Sequence, residues 1–411
     1  MDNLPTTPPR GLWRQHDFPL LLGGRLVSQL GDQLQFLALP LLVVALTGSP
    51  AQAGIVLGLQ TVVYLVFGLL SGALADRWDR KATMVWCEIG RGALTATVPI
   101  AAACGILGMP QLYAVAVLNG VLGTLFGAAS SSALPNIVTR ADLPGALGTI
   151  GAMSNTVRIA GASVAGLAYA LGRMVPFAFN AVSFLASAVA LRAIRADFQQ
   201  ERAADAASPR ELLADIAHGL SWLWRKPVIR TLALLDAGDS LRYGAGYLLI
   251  IMLAQHLHAD PAQVGIVFAG AAIGALLGSL MAPALIRRFP LGRLSITMLW
   301  VEALAFPFYA LAPTWWLLLV VAFAESVVSP IYNVALDSYR LGVTPDELRG
   351  RVTSAIDTLT TGAGAVGTMA GGALISLIGA PALTGVLTGW LTLLALAATL
   401  SRTVRTARAT D

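Results

Sequence analysis

Several stretches that are otherwise apolar carry ionisable side chains, and their spacing gathers those side chains onto single faces. Arg25, Gln29, Asp32 and Gln33 follow one another at intervals that place them on one stripe of a helix. Counted from Leu20 at 1.5 Å per residue, Asp32 falls roughly 18 Å deep, near the middle of a ~30 Å hydrocarbon core. Asp236, Asp239, Ser240, Arg242 and Tyr243 make a second polar face at similar depth. Asn155 and Arg158 sit one turn apart. Glu325 lies mid-stretch, with Asn333 and Asp337 beyond it, and Asp357 follows in the next stretch. Glu88 and Arg91, at i and i+3, read as a local pair. An ionisable group at this depth is costly and normally faces a cavity or a partner. Burial disfavours the charged carboxylate, so such a group can take a proton from one side and give it up on the other. Asp32, then Asp239, then Glu325 are the candidates for that chemistry. Arg158 needs a counter-ion, for which Asp32 or Asp239 qualifies. Arg158 or Arg25 could in turn hold the carboxylate ionised.

Other chemistries lack their residues. No nucleophile with a base and an orienting acid is visible, and His256 and His258 have no further ligands beside them, so neither an enzyme nor a metal site is expected. Lys81 and Lys226 both follow Arg, whereas a phosphate-binding loop needs Gly-Lys before Ser or Thr. No nucleotide and no other cofactor is expected, which leaves an ion gradient as the energy source, with protons the expected partner ion. Cys87 and Cys104 fall in one stretch about 25 Å apart as a helix, beyond disulfide reach, and read as buried packing residues.

The elements that hold these groups follow from composition. The 411 residues are 56% hydrophobic and 12% charged, with mean hydropathy +0.72. Soluble domains carry about 25% charged residues, so lipid is the natural solvent. Apolar runs of about 20 residues recur along the chain, which indicates helices rather than the shorter alternating strands of a barrel. The fold class is therefore all-α, with about twelve transmembrane helices. The net charge of +5 does not indicate nucleic acid, because the charges fall between apolar runs. Alternate connections carry the basic residues: Arg10 and Arg14, Arg77 to Lys81, Arg140, Arg192 to Arg230, Arg287 to Arg293, Arg340 to Arg351, and Arg402 to Arg408; the opposite connections carry almost none, Arg173 being the exception. An even number of spans then puts both termini in the cytoplasm of a bacterial-type inner membrane. The expected organisation is a tail over 1–17, a six-helix bundle over 18–195, a linker over 196–228, a second six-helix bundle over 229–400, and a tail over 401–411. Leu212, Leu213, Ile216, Leu220 and Leu223, with Trp222 and Trp224, predict an amphipathic helix lying at the interface inside the linker.

The halves echo each other. Pro50-Ala51-Gln52-Ala53-Gly54-Ile55-Val56 returns as Pro261-Ala262-Gln263-Val264-Gly265-Ile266-Val267, and Asp142-Leu143-Pro144-Gly145 is echoed by Glu347-Leu348-Arg349-Gly350. Duplicated six-span halves mark secondary transporters, whose substrate site lies near the midplane at the repeat interface.

The connection after the second span reads Gly72-Ala73-Leu74-Ala75-Asp76-Arg77-Trp78-Asp79-Arg80-Lys81. It resembles the signature loop of the major facilitator superfamily, with Asp79 standing where that family usually has Gly. The resemblance implies two pseudo-symmetric six-helix bundles working by alternating access. It also implies a cytoplasmic gate formed by Gly72, Asp76, Arg77, Arg80 and Lys81 against the region of Asp346 and Arg351. In that superfamily the first and seventh spans line the central cavity, so Arg25, Gln29, Gln33, Phe36, Asp236, Arg242 and Tyr243 become candidate cavity residues, with Asn119, Asn155, Arg158 and Tyr332 from other spans. The third and ninth spans are peripheral there, which sets Glu302 aside. The Asp-Arg-Trp-Asp-Arg-Lys variant, Leu134-Pro135-Asn136-Ile137-Val138 and the interfacial loop look most like the macrolide and siderophore efflux branch. The expected function is proton-coupled efflux of a small amphipathic or natural-product-like molecule by a monomer. An importer or uniporter on the same fold is the nearest alternative, and a non-transporting membrane sensor or assembly protein is the alternative of another kind.

Overall fold

The computed structural model describes residues 16–139, 142–198, 220–345 and 348–406. Twelve long helices account for most of them: α1 (Asp17–Thr47), α2 (Pro50–Arg77), α3 (Arg80–Ala103), α4 (Met109–Ile137), α5 (Leu143–Leu171), α6 (Val175–Ala193), α7 (Pro227–His256), α8 (Pro261–Arg288), α9 (Leu291–Ala305), α10 (Trp315–Val343), α11 (Arg349–Ile378) and α12 (Ala380–Leu400). A short turn, Phe308–Leu311, prolongs α9, and no strand occurs among the described residues. Nine of these helices are long and apolar enough to cross a bilayer. The three others have a reason to fall short: α3 and α7 carry the ion pairs described below, and α5 is rich in Gly, Ser and Thr. The protein is an all-α, multi-pass membrane protein.

Local chemistry sets the helix ends. Pro261 opens α8 behind Asp260, whose side chain accepts from the Gln263 backbone N–H at 2.8 Å, while the Gln263 side chain accepts from the Asp260 N–H at 3.0 Å. That reciprocal cap satisfies two orphan donors and fixes where the second copy of the repeated heptapeptide starts. Asp79, the departure from the signature, is the cap of α3. Its backbone is extended, and its carboxylate accepts from the Ala82 N–H at 2.7 Å. The tight turn that a glycine would make is replaced by a capped helix start. Of the predicted interfacial helix, residues 199–219 lie outside the described residues. Residues 220–225 are helical, and Leu223 is fully buried in an apolar core with Ile229, Leu232 and Tyr339.

The chain sorts into two compact units. Among the described residues, unit 1 comprises those up to Phe36 and those within Val66–Gly161 and Gly172–Pro209, and unit 2 comprises those within Leu37–Leu65 and Ala162–Leu171 and those beyond Arg210. Unit 1 has its apolar core at one end, where Phe18, Leu22, Met84, Phe126, Leu134 and Phe198 pack together. Unit 2 contains two close helix crossings. A Cβ added to Gly54 of α2 would lie 2.8 Å from the Thr368 carbonyl oxygen and 3.0 Å from Gly372 Cα of α11. One added to Gly265 of α8 would lie 2.7 Å from the Ala162 carbonyl oxygen and 2.9 Å from Gly166 Cα of α5. Lipid supplies no hydrophobic drive between helices, so backbone approach of this kind is how they hold together. Gly54 and Gly265 are the same position of the repeated heptapeptide, so the repeat encodes a contact as well as a helix start.

Cys87 and Cys104 are both free. Cys87 is buried as expected, but Cys104 is exposed, because α3 ends at Ala103 and leaves Cys104 on its cap.

Candidate functional site

Buried and half-buried charges cluster in both units. In unit 1, α1 brings Asp32 to Arg91 of α3. The guanidinium Nη2 donates to both carboxylate oxygens, at 2.8 and 2.9 Å. Arg91 Nη1 lies 3.6 Å from Glu88 Oε1, which also accepts from the Ser28 hydroxyl at 3.3 Å. The Arg91 guanidinium sits 4.1 Å from the centroid of the Phe184 ring, a cation–π seat that keeps water off one face. The Glu88 side chain is fully buried, whereas that of Asp32 is 39% exposed. The counter-ion of Asp32 is therefore Arg91, not Arg158 or Arg25. Arg158 instead donates to Asn155 Oδ1 at 3.3 Å on an exposed face of α5, and Arg25 donates to Ser130 at 3.4 Å. Spacing could not reveal this pairing, because Asp32 and Arg91 are brought together only by the packing of α1 on α3.

Two glutamines of α1 find neutral partners. Gln29 accepts from Ser154 of α5 at 2.9 Å, and Gln35 accepts from Asn180 of α6 at 2.7 Å. Asn180 is fully buried and is not among the residues singled out from the sequence; a lone Asn inside an apolar run is the signal that marks it. Asn119 donates to Thr95 at 3.0 Å within the bundle. Gln33 is partly buried beside Gly161, and Phe36 is 45% exposed.

In unit 2, one guanidinium faces three carboxyls. Arg242 of α7 donates from Nε and Nη2 to Asp239 Oδ1, at 3.0 and 2.8 Å, and from Nη1 to Glu325 Oε1 of α10. The Tyr309 hydroxyl donates to the other Glu325 oxygen at 3.2 Å. Glu302 of α9 stands 3.7 Å from Arg242 Nη2, outside hydrogen-bonding range of it. The Arg242 side chain is 2% exposed, Glu302 4%, Glu325 8% and Asp239 12%. Glu302, set aside as peripheral, is thus part of the most buried charge cluster among the described residues. One turn away, Asp236 lies 3.8 Å from Arg340 of α10, which also pairs with Asp337. Tyr332 is buried beside this second group, while Tyr243, Asn333 and Asp357 are exposed.

The signature-loop residues divide in two. The side chains of Gly72, Asp76 and Arg77, and residue Asp346, lie outside what the structure describes. Arg80 donates to the Ser132 carbonyl at 2.9 Å, and Lys81 donates to the Ile194 carbonyl at 2.6 Å. Both therefore fasten the start of α3 to the ends of α4 and α6 inside unit 1. Arg351 is exposed at the start of α11.

Comparison with known proteins agrees with this architecture. The description of the transmembrane secretion effector family matches residues 9–411. A multidrug efflux pump, Tap, of Mycolicibacterium fortuitum is 29% identical over 372 residues, which cover 88% of this chain and 89% of that protein. A transporter of Bacillus subtilis, YfiS, described as an uncharacterised MFS-type transporter, is 28% identical over 377 residues, 87% of each. Among solved structures, the nucleoside transporter NupG superposes with a TM-score of 0.75 at 16% identity, covering 92% of this chain and 98% of that one. A bacterial homologue of the lysosomal transporter Spinster gives 0.76 at 14%, covering 98% and 99%. At such identities the structures speak for the fold. The family match spans nearly the whole chain, and the chain belongs to the transmembrane secretion effector family of major facilitator transporters, a non-enzymatic membrane transporter of small molecules.

Proposed function

We propose that the chain is a secondary active exporter that uses the proton gradient to expel small amphipathic molecules of the drug, macrolide or siderophore type by alternating access. The observation that carries this reading is that each unit buries arginine together with more carboxyls than it can neutralise. Arg91 faces Asp32 and Glu88, and Arg242 faces Asp239, Glu302 and Glu325. The full desolvation of an unmatched carboxylate is expensive, so clusters of this composition are natural places to load and unload protons. Asp32, partly exposed yet paired, is the group through which unit 1 would exchange its proton. Efflux as the direction is supported by the relatives described as multidrug efflux pumps.

The rest of the reading follows the sequence. The basic residues on alternate connections support an orientation with both termini in the cytoplasm, in a bacterial-type inner membrane. The bundles over 18–195 and 229–400 serve as the two halves of alternating access, and Arg25, Gln29, Gln33, Phe36, Asn155, Arg158 and Tyr243, half-buried or exposed, are the candidates accessible to substrate. The test is ethidium uptake into everted vesicles under an imposed pH gradient. Accumulation that collapses with the gradient and is lost in Asp32→Asn supports the reading. Accumulation unchanged by dissipating the gradient points to the uniporter alternative, and equal flux in both variants removes Asp32 from coupling.

A further inference from the structure

The three carboxyls around Arg242 do not have equal claims on it. Arg242 uses Nε and Nη2 on Asp239 and Nη1 on Glu325, and Tyr309 closes the second Glu325 oxygen. Glu302 comes no nearer to the guanidinium than 3.7 Å, and the nitrogen it faces, Nη2, is the one that already donates to Asp239 Oδ1 at 2.8 Å. Two ionised carboxyls drawn to one nitrogen repel each other, and a proton on one of them removes that repulsion.

Charge counting leads to the same place. One positive charge faces three carboxyls, and no side chain in the group is more than 12% exposed. The neighbours do not make up the deficit. On α7, Tyr243 lies with its ring 5.9 Å from the guanidinium, and Asp236 is engaged with Arg340. On α10, Tyr332 is neutral, and Arg340 is shared between Asp236 and Asp337. Helix α11 adds Asp357, which is exposed, and α12 has no acidic or basic residue. Phe306 covers the guanidinium from the side at 5.7 Å.

We infer that Glu302 and Asp239 share a proton, held mainly on Glu302, and that this carboxyl pair on Arg242 is the proton-carrying site of the C-terminal half. The inference rests on the proton-coupled reading above and adds to it a residue from α9. Asp239 is the least buried of the three carboxyls, so it is the route by which the proton enters and leaves. Uptake of one proton from water on one side cancels one of the surplus negative charges. Release to the other side restores it, and Arg242 is then drawn toward Glu302. Glu302 is a positioning and proton-holding group with no required contact to cargo.

The test is infrared spectroscopy of the purified full-length protein in detergent at neutral pH. The wild-type spectrum minus that of Glu302→Gln is expected to show the carbonyl stretch of a protonated carboxylic acid, shifted in D2O. Glu302→Asp should keep the band. Asp239→Asn should also abolish it, because either neutralisation leaves two carboxylates for one arginine, and this second variant serves if the first does not purify as a monodisperse species. Absence of the band from both difference spectra overturns the inference. Ethidium extrusion from wild-type proteoliposomes separates the two levels. A band at Glu302 without pH-gradient-driven extrusion keeps the proton site and sinks the exporter reading. Driven extrusion without the band keeps the exporter and sinks this site.

Discussion

Removing Arg242 tests whether the unit 2 cluster is one coupled object. Arg242→Met keeps much of the volume and the apolar stem but strands Asp239, Glu302 and Glu325 around an uncharged side chain. In the structure the guanidinium makes three hydrogen bonds to two carboxylates and is itself 2% exposed. Breaking a buried pair by deleting one partner costs about 3–5 kcal/mol, most of it the penalty of the charge left behind. A domain of 150–250 residues loses about 2–4 °C of melting temperature per kcal/mol, so the variant should melt roughly 6–20 °C below wild type in a detergent thermofluor assay. The deficit should shrink as pH falls, because protonation of the stranded carboxylates removes the repulsion that the substitution creates. Neutralising the whole cluster, with Arg242→Met, Asp239→Asn, Glu302→Gln and Glu325→Gln together, should recover most of the lost stability, since a desolvated ion cluster is close to break-even against a neutral replacement. The reasoning is refuted if Arg242→Met shifts melting no more than a surface change of about 0.5 kcal/mol would. It is equally refuted if the quadruple variant is as unstable as the single one, because the cost would then lie in packing rather than in charge.

Four further outcomes follow from other parts of the structure. Gly372→Leu and Gly166→Leu should each abolish ethidium extrusion while leaving insertion intact, because a Cβ alone at these positions would lie 2.7 and 2.4 Å from the Pro50 and Pro261 carbonyl oxygens; undiminished extrusion would mean that the crossings are not required. The backbone N–H of Ala51 donates to the Ser376 hydroxyl at 3.0 Å, so Ala51→Cys with Ser376→Cys in a background free of Cys87 and Cys104 should cross-link readily and stop turnover until reduced. Asp79→Ala should cost about 1 kcal/mol through loss of the α3 cap, with Asp79→Asn close to wild type, as read by melting temperature. Cys104 should react with a membrane-impermeant maleimide added to intact cells while buried Cys87 does not, and labelling only after permeabilisation would reverse the proposed orientation.

The parts of this molecule that its sequence discloses are those governed by one-dimensional rules. Helix starts are legible because Pro261 and Asp260 are local signals, and the expectation of about twelve spans matches the twelve long helices found. Membrane depth of a charge is also one-dimensional, which is why Asp32, Asp239 and Glu325 stand out. Partner identity is different in kind. Arg91 pairs with Asp32 across 59 positions, and Arg242 reaches Glu325 across 83, and nothing in the spacing says which helix faces which. Two residues are undervalued by the sequence for the same reason. Spacing makes Glu88 a local i,i+3 partner of Arg91, and the peripheral place of its helix in the related transporters sets Glu302 aside. Yet a glutamate is expensive in an apolar run wherever its helix stands. The sounder inference is that each such carboxyl must point inward, because a peripheral helix has an inner face as well as a lipid face. Both glutamates do so, Glu88 toward Ser28 and Arg91, and Glu302 toward Arg242. The side-chain argument thus outranks the helix-position argument: burial of charge is enforced by free energies of several kcal/mol at each residue, whereas peripheral placement constrains only the helix axis and leaves its rotation free.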